Sequence, residues 1–326
     1  MLEPVRTPWS AGPLRMRPER LIFSETYEDA AIELRAFAPR SRVFAIAGAG
    51  ATARALAAAG HRVTAVDICA AQIDYAKARA TGGVAQTEAV VKTGAAERLL
   101  AWGRALAVAA GWRRERVEEF LALDDCAEQT AYWDRWLDTP AWSAAVEVLL
   151  GPRLLGLWYR SAFVRSLPRD FGRRLRERLR RGWATHANRA NPYAALLLLG
   201  TTPLEPVPAS GTNSGPIRFV CGDAAEFLES AAPASFDAFA LSNIGDGATQ
   251  EYMRRLNAAI RRAAAPAAMQ VTRSFAESVG GTEENSAAQD RSLLWGVVEV
   301  AKVPGVVDVV DVGCAEQAGG ESCCIC

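Results

Sequence analysis

Histidine is scarce in this chain, with two in 326 residues, and the formal net charge is zero. His61 opens an apolar run and reads as a structural residue, while His186 falls in a basic segment. The charge balance excludes bulk attraction to nucleic acid or to an acidic protein. Nowhere is there an uninterrupted apolar run long enough to span a bilayer, and Met1 to Ser10 lacks the apolar core of a signal peptide. A cytoplasmic protein is therefore expected. Cysteines are few outside the last stretch: Cys69, Cys126 and Cys221 stand singly among apolar neighbours, as small buried hydrophobes in a reducing compartment do. The run Cys314 to Cys326 superficially matches a prenylation box or a thiolate site. It has no spaced partner pair and no nearby histidine, so we expect no metal and read 314–326 as a disordered tail.

What the chain does have is a stretch from Arg42 to Gln72 around which the rest is organised. An apolar run, Val43-Phe44-Ala45-Ile46, ends in Gly48-Ala49-Gly50; an Ala-rich helical segment to Gly60 follows, and a second apolar run ends at Asp67. Strand, tight turn, helix, strand and acid form half of a doubly wound nucleotide-binding sheet. Gly48 and Gly50 let the backbone turn sharply beside a ligand, and Asp67 is placed to accept hydrogen bonds from a ribose diol. The turn meets a dinucleotide fingerprint only loosely, as G-x-G-x-x-A. The same spacing without a basic residue suits S-adenosylmethionine, whose methionyl part carries no phosphate, and a βαβ unit with no ligand is the remaining reading.

The first forty-one residues are expected to cap the sheet, with a helix opening at Ser24 as N-cap in Ser24-Glu25-Thr26-Tyr27-Glu28-Asp29. Its acids either favour the helix dipole or hold a cationic ligand beside Tyr27. Residues 42–87 form the first part of the sheet domain. From 88 to 215 the periodicity is helical, with breaks near Gly111, Asp124, Pro140, Gly151 and Pro168. An insertion of this kind between the second and third strands lies over the carboxyl edge, where acceptors bind. It holds Trp133, Trp136, Trp142, Trp158, Tyr159 and Trp183, which read mostly as core, with one or two available to face a sulfonium. Arg165, Arg169, Arg173, Arg174, Arg176, Arg178, Arg180 and Arg181 give either a solvated face or a surface for an anionic acceptor or membrane. Asn191-Pro192-Tyr193 ends the insertion with a turn that aims an amide and a phenol at the pocket.

The sheet resumes over 216–313. Ile217 to Ala224 is a third strand carrying Gly222 and Asp223, the latter where such folds contact adenine. Phe236 to Ile244 is the fourth, ending in Ser242 and Asn243, and Ala268 to Arg273 is the fifth after a helix from Thr249 to Ala264. Trp295 to Val303 and Val306 to Val312, joined by Pro304-Gly305, predict an antiparallel hairpin. The fold class expected is α/β, a class I S-adenosylmethionine-dependent, Rossmann-like sheet closed by that hairpin.

Ile22 to Asp29, the Gly48-Ala49-Gly50 turn, Ala65-Val66-Asp67 with Gln72, Cys221-Gly222-Asp223 with Phe227-Leu228, and Phe236-Asp237 with Leu241-Ser242-Asn243 together resemble the 3-amino-3-carboxypropyl transferases of betaine-lipid synthesis. Isonocardicin synthase and azetidine-2-carboxylate synthase are similar in chemistry. The resemblance covers most of the chain outside the insertion. It departs at Asp67-Ile68-Cys69-Ala70-Ala71-Gln72, where the family has Asp-x-Asn-Pro-x-Gln, and at Ala51-Thr52, where it has a polar pair. Those departures bear on the acceptor more than on S-adenosylmethionine.

The resemblance implies attack at the γ-carbon of S-adenosylmethionine as substrate, with methylthioadenosine leaving. The nucleophile belongs to a small-molecule or lipid acceptor, or is the substrate's own amine, closing an azetidine ring. The expected binding set is Tyr27, Glu28, Asp29, Gly48, Ala49, Gly50, Asp67, Ile68, Gln72, Gly222, Asp223, Ala224 and Ser242. Ser242, Asn243, Asn191 and Tyr193 are expected to orient the amine and carboxylate at the reacting centre. A proton acceptor, if one is needed, comes from His186, Tyr193, Glu28 or Asp29. An ordinary methyltransferase and a non-catalytic binding or membrane-surface protein are the competing readings.

Overall fold

The computed structural model describes residues 20–81, 93–201, 214–277 and 286–305. The order of elements is α1 (Ala31–Ala36), β1 (Arg42–Ile46), α2 (Ala51–Ala58), β2 (Arg62–Asp67) and α3 (Ala70–Ala80), followed by a helical region. That region comprises α4 (Ala95–Ala109), α5 (Arg114–Leu121), α6 (Cys126–Tyr132), a π-helical turn Trp133–Leu137, α7 (Pro140–Leu149), α8 (Pro152–Trp158), α9 (Ser161–Ser166), α10 (Phe171–Trp183) and α11 (Pro192–Leu199). The chain then returns to the sheet with β3 (Ile217–Cys221), α12 (Ala224–Ser230), β4 (Phe236–Ala240), α13 (Gln250–Ala263), β5 (Ala264–Ser274) and β6 (Val297–Lys302).

The strands form one six-stranded mixed sheet in the order β3-β2-β1-β4-β5-β6. The first five are mutually parallel and β6 runs antiparallel to β5. Parallel strands covered on both faces read as near-continuous apolar runs, and Val43, Phe44 and Ala45 are fully buried accordingly. One face packs on Ile32, Phe37, Leu56 and Ile73. The other packs on Leu228, Tyr252, Leu256 and Ile260 from α12 and α13. The strand order reverses between β1 and β4, and this switch point opens a crevice at the carboxyl ends of the strands.

Helix starts in the insertion follow local chemistry. The Asp125 carboxylate accepts from the amides of Ala127 and Glu128 at the head of α6. Thr139 caps α7 with Pro140 as first helical residue, and Asn191 caps α11 with Pro192 in the same place. Trp133 and Trp183 of the aromatic group pack with Trp112 and Phe120 in a separate core.

One expectation changes. No helix opens at Ser24; the first helix is Ala31–Ala36. The Ser24 hydroxyl instead accepts from the Gly94 amide, and the Ser24 and Glu25 amides donate to the Glu97 carboxylate of α4. Tertiary partners thus take the groups that a helix cap would have used. β6 pairs in register with β5, from Met269 opposite Lys302 to Ser274 opposite Val297, and Pro304-Gly305 is a turn after it. The proposed hairpin partner 306–312 lies outside the described residues, as does the 314–326 tail.

Candidate ligand cavity at the carboxyl edge of the sheet

A cavity of about 320 Å³ sits over the carboxyl ends of β1 to β4. Gly48 and Ala49 of the first turn, Asp67 and Ile68 after β2, Gly222 to Ala224 after β3, and Ser242 and Asn243 after β4 all line it. The topology brings these residues, scattered through the sequence, to one sheet edge. Tyr27 and Glu28 close it from the N-terminal segment.

The turn is shaped by two glycines with left-handed backbone. Gly50, at φ +84, is the N-cap of α2, and a Cβ there would stand 3.0 Å from the Cβ of Ala76. Gly48, at φ +48, has open space where a Cβ would point. The first glycine leaves room for a ligand and the second lets α2 pack closely on α3.

Asp67 accepts from the amides of Gly48 at 3.2 Å and Cys69 at 2.9 Å, which fixes both carboxylate oxygens at the cavity wall. Burial raises its pKa to about 6 despite those two bonds. Gln72 is a strap: its amide nitrogen donates to the carbonyls of Phe23 at 2.7 Å and Gly48 at 2.8 Å, and its oxygen accepts from the Ile22 and Phe23 amides. It lines the cavity but its polar atoms hold backbone, so it positions the wall. Asp223 caps α12 through the Glu226 amide and stands 3.9 Å from the Arg255 guanidinium while lining the cavity.

Glu28 accepts a hydrogen bond from Ser242, and burial pushes its carboxyl above the ordinary range in spite of nearby Arg273 and that hydroxyl. Ser242 itself sits at φ +54, a left-handed conformation rare for serine at the end of a strand. Asn243 donates to Asp246, a buried acid that also accepts from Ser274 and the Phe275 amide. Thr26 adds a buried hydroxyl with no partner among the described residues.

Away from the sheet the cavity is apolar. Leu155, Phe163, Leu167 and Phe171 of α8 to α10 form a small core with Tyr159 and Phe275, and all six line the cavity. Phe275 packs its ring 4.5 Å from Trp295, whose indole donates to the Tyr27 carbonyl at 2.9 Å. The insertion thus supplies an apolar wing beside the polar sheet edge.

Several expected site residues lie elsewhere. Asn191 caps α11 and donates to the Arg291 carbonyl at 2.9 Å, and the Tyr193 hydroxyl donates to the backbone carbonyl of Glu28 at 2.5 Å; neither lines the cavity. They brace the wall from behind. Asp29 also turns away, held by a two-pronged contact from Arg291 at 2.6 and 2.8 Å; burial raises its pKa, but this pairing outweighs burial and the net shift is downward. Gly50 shapes the turn without reaching the cavity. The ring of His186 is 2.9 Å from the Ala288 carbonyl, off the cavity, and His61 is buried before β2.

Trp133 and Trp183 are fully buried in the helical core, and Trp136 stacks against Arg116 and Arg135. The side chain of Trp158 lies outside the described residues. Of the expected aromatic group Tyr159 lines the cavity, together with Phe23, Tyr27, Phe163, Phe171, Tyr252, Phe275 and Trp295. The arginine helix is largely neutralised: Arg173 and Arg174 pair with Asp170 and Glu177, Arg176 with Asp138, and Arg180 with Asp134. Arg178 points inward to the Leu294 and Phe275 carbonyls and to Glu277.

Sequence reasoning missed Arg273 and the apolar wing. Arg273 lies behind Glu28 with its side chain wholly buried, and the partner Glu33 is 240 residues away in sequence. No local pattern marks such a contact.

Among the described residues no group of His, Cys, Asp and Glu is placed to hold a metal ion, and no helix is long and apolar enough to cross a membrane. The protein is α/β, with a mixed, mostly parallel sheet and one described cavity spanning the sheet edge and the helical insertion. Comparison with protein-family profiles, with curated proteins and with solved structures finds no match.

Proposed function

We propose that this chain is an S-adenosylmethionine-dependent enzyme that directs a nucleophile to the γ-carbon of the methionyl arm, releasing methylthioadenosine. The observation that carries the reading is the single cavity joining the Gly48-Ala49 turn, Asp67, Asp223 and Ser242 to an apolar wing. Five parallel strands in the order β3-β2-β1-β4-β5 with an antiparallel strand beside β5 support the class I arrangement. The residues suit the ligand. Open space beside Gly48 and Gly222 leaves a cradle that a larger residue would fill. Asp67 offers acceptors for a ribose diol.

The sulfonium supplies the chemistry: it makes each attached carbon electrophilic and leaves as a neutral thioether. In γ-attack the Cγ–S bond breaks with its electron pair going to sulfur, a bond forms from the nucleophile to Cγ, and the nucleophile loses a proton. The protein's part is selection by placement, an effect worth about 7 to 11 kcal/mol at most. Asp67 and Asp223 would hold the adenosine, and the Gly48-Ala49 backbone would pack along the methionyl arm. Leu155, Phe163, Leu167 and Phe171 would seat an acceptor or, if the substrate's own amine attacks, exclude water from it. No acceptor is assigned.

Chromatography of the nucleoside products after incubation with S-adenosylmethionine, alone and with lipid or phenolic acceptors, tests this. Methylthioadenosine above the non-enzymatic background is expected. Production of S-adenosylhomocysteine in its place means methyl transfer and overturns the γ-carbon assignment.

A further inference from the structure

Charge is unevenly compensated on one wall of the cavity. Glu28 belongs to a cluster of four carboxylates, with Asp29, Glu33 and Asp290 buried behind it, and two guanidiniums, the buried Arg273 and the partly exposed Arg291. Arg291 grips Asp29 with two nitrogens. Arg273 grips both oxygens of Glu33 and donates to Asp290 at 2.9 Å, and Asp290 also accepts from the Ser292 amide. Glu28 receives least. Its Oε2 is 3.9 Å from the Arg273 guanidinium, too far for a hydrogen bond, and its Oε1 accepts from Ser242. It is also the member of the four that lines the cavity.

A carboxylate removed from water is costly unless a cation or several donors meet it. Within the described residues Glu28 meets one hydroxyl donor and a distant guanidinium, and it lines the cavity. Thr26, which also lines the cavity, has a hydroxyl sealed from solvent with no partner among the described residues. The open acceptor sites of Glu28 ask for a polar ligand group, and the net charge of the cluster asks for a cation.

We propose that Glu28 is the seat of the ligand's α-ammonium, and that Ser242 and Arg273 are positioning residues that hold its carboxylate toward the cavity. This rests on the function proposed above, since S-adenosylmethionine carries an ammonium and a sulfonium. The ammonium fits Glu28 because it brings three N–H donors to open acceptor sites, whereas a sulfonium has none and is served by aromatic faces. Ser242 then acts through Glu28 and not on the methionyl group directly. Its left-handed backbone turns the hydroxyl to the carboxylate.

Calorimetric titration of wild type and Glu28→Gln with S-adenosylmethionine, S-adenosylhomocysteine and methylthioadenosine tests the assignment. The first two carry the ammonium, only the first has the sulfonium, and the third has neither. Glu28→Gln should weaken the first two by at least about tenfold and change the third by less than about twofold. Equal losses for all three, or no loss, overturn the assignment, as does a loss confined to S-adenosylmethionine, which would put the sulfonium there. Failure of all three to bind wild type overturns the proposed function, and this inference with it.

A pH series on wild type gives an answer even if the variant does not fold. The groups facing Glu28 are Ser242 after β4, Arg273 on β5, Glu33 on α1 and Asp290. As pH falls and Glu28 takes a proton, S-adenosylhomocysteine should lose affinity relative to methylthioadenosine. Asp67 would meet the ribose of both, so its titration cancels in the ratio. A ratio that does not move overturns the proposal. Arg273→Lys, which keeps charge but loses the two-pronged grip, should move that fall to higher pH; an unshifted profile in the folded variant removes Arg273 from the account.

Discussion

Asp67 is the residue whose titration bears most directly on ligand binding. Both of its oxygens already accept backbone amides, so a ribose diol needs the ionised form to find further acceptor capacity. With the pKa raised to about 6, affinity for methylthioadenosine should fall as pH drops through that value. Folding stability moves the other way. A carboxyl whose pKa is raised by folding adds stability that is fully present below its ordinary value and is lost as pH rises through about 6. Titrations across this range check the first sign, and Asp67→Asn should abolish the pH dependence with a loss of about 1.5 to 3 kcal/mol in binding. Gly50→Ala forces a left-handed alanine against Ala76. It should lower stability in urea by about 1 to 3 kcal/mol. Gly48, Gly50 and Asp67 were legible in the sequence because each obeys a rule of one βαβ unit. Glu28 and Asp29 read as a pair, yet the chain bends at Glu28, and one lines the cavity while the other is held by Arg291.

At the scale of elements, α10 joins the insertion to the sheet through Arg178, which is almost wholly buried. It donates to the Leu294 and Phe275 carbonyls, on either side of the cavity's aromatic wall. Arg178→Met should lower stability by about 2 to 3 kcal/mol, reduced from the full value for a buried pair because Glu277 is a third exposed. The exposed Arg180–Asp134 pair on the same helix provides the contrast: Arg180→Gln should change stability by less than about 1 kcal/mol. Urea midpoints compare the two. The arginine run was visible in the sequence, but which arginine points inward was not, because the acids that neutralise the others come partly from α7 and the segment before it. The parallel strands were legible from their apolar runs and the turn signals between them. β6 was legible as a strand from its apolar run, while its pairing with β5, a neighbour more than twenty residues back, left no local signal. The expected Ser24 cap gave way to tertiary partners, its hydroxyl meeting the Gly94 amide and its own amide the Glu97 carboxylate.

For the whole molecule, the cavity needs three separate parts of the chain: the sheet edge, the N-terminal segment strapped down by Gln72 and Glu97, and α8 to α10 with their apolar side chains. The sheet edge holds the groups suited to adenosine, the N-terminal segment brings Glu28, and the insertion walls off the remaining space. Selecting the γ-carbon over the methyl carbon is a matter of how that assembly turns the methionyl arm, so the fate of the two carbons is the direct readout. Supplying S-adenosylmethionine labelled in its carboxyl carbon, and separately in its methyl carbon, and following both labels by mass spectrometry makes that measurement. The account predicts that the methyl label stays with methylthioadenosine while the carboxyl label appears in an acceptor adduct or in azetidine-2-carboxylate. Methyl label in an acceptor, with the carboxyl label retained in S-adenosylhomocysteine, would contradict it.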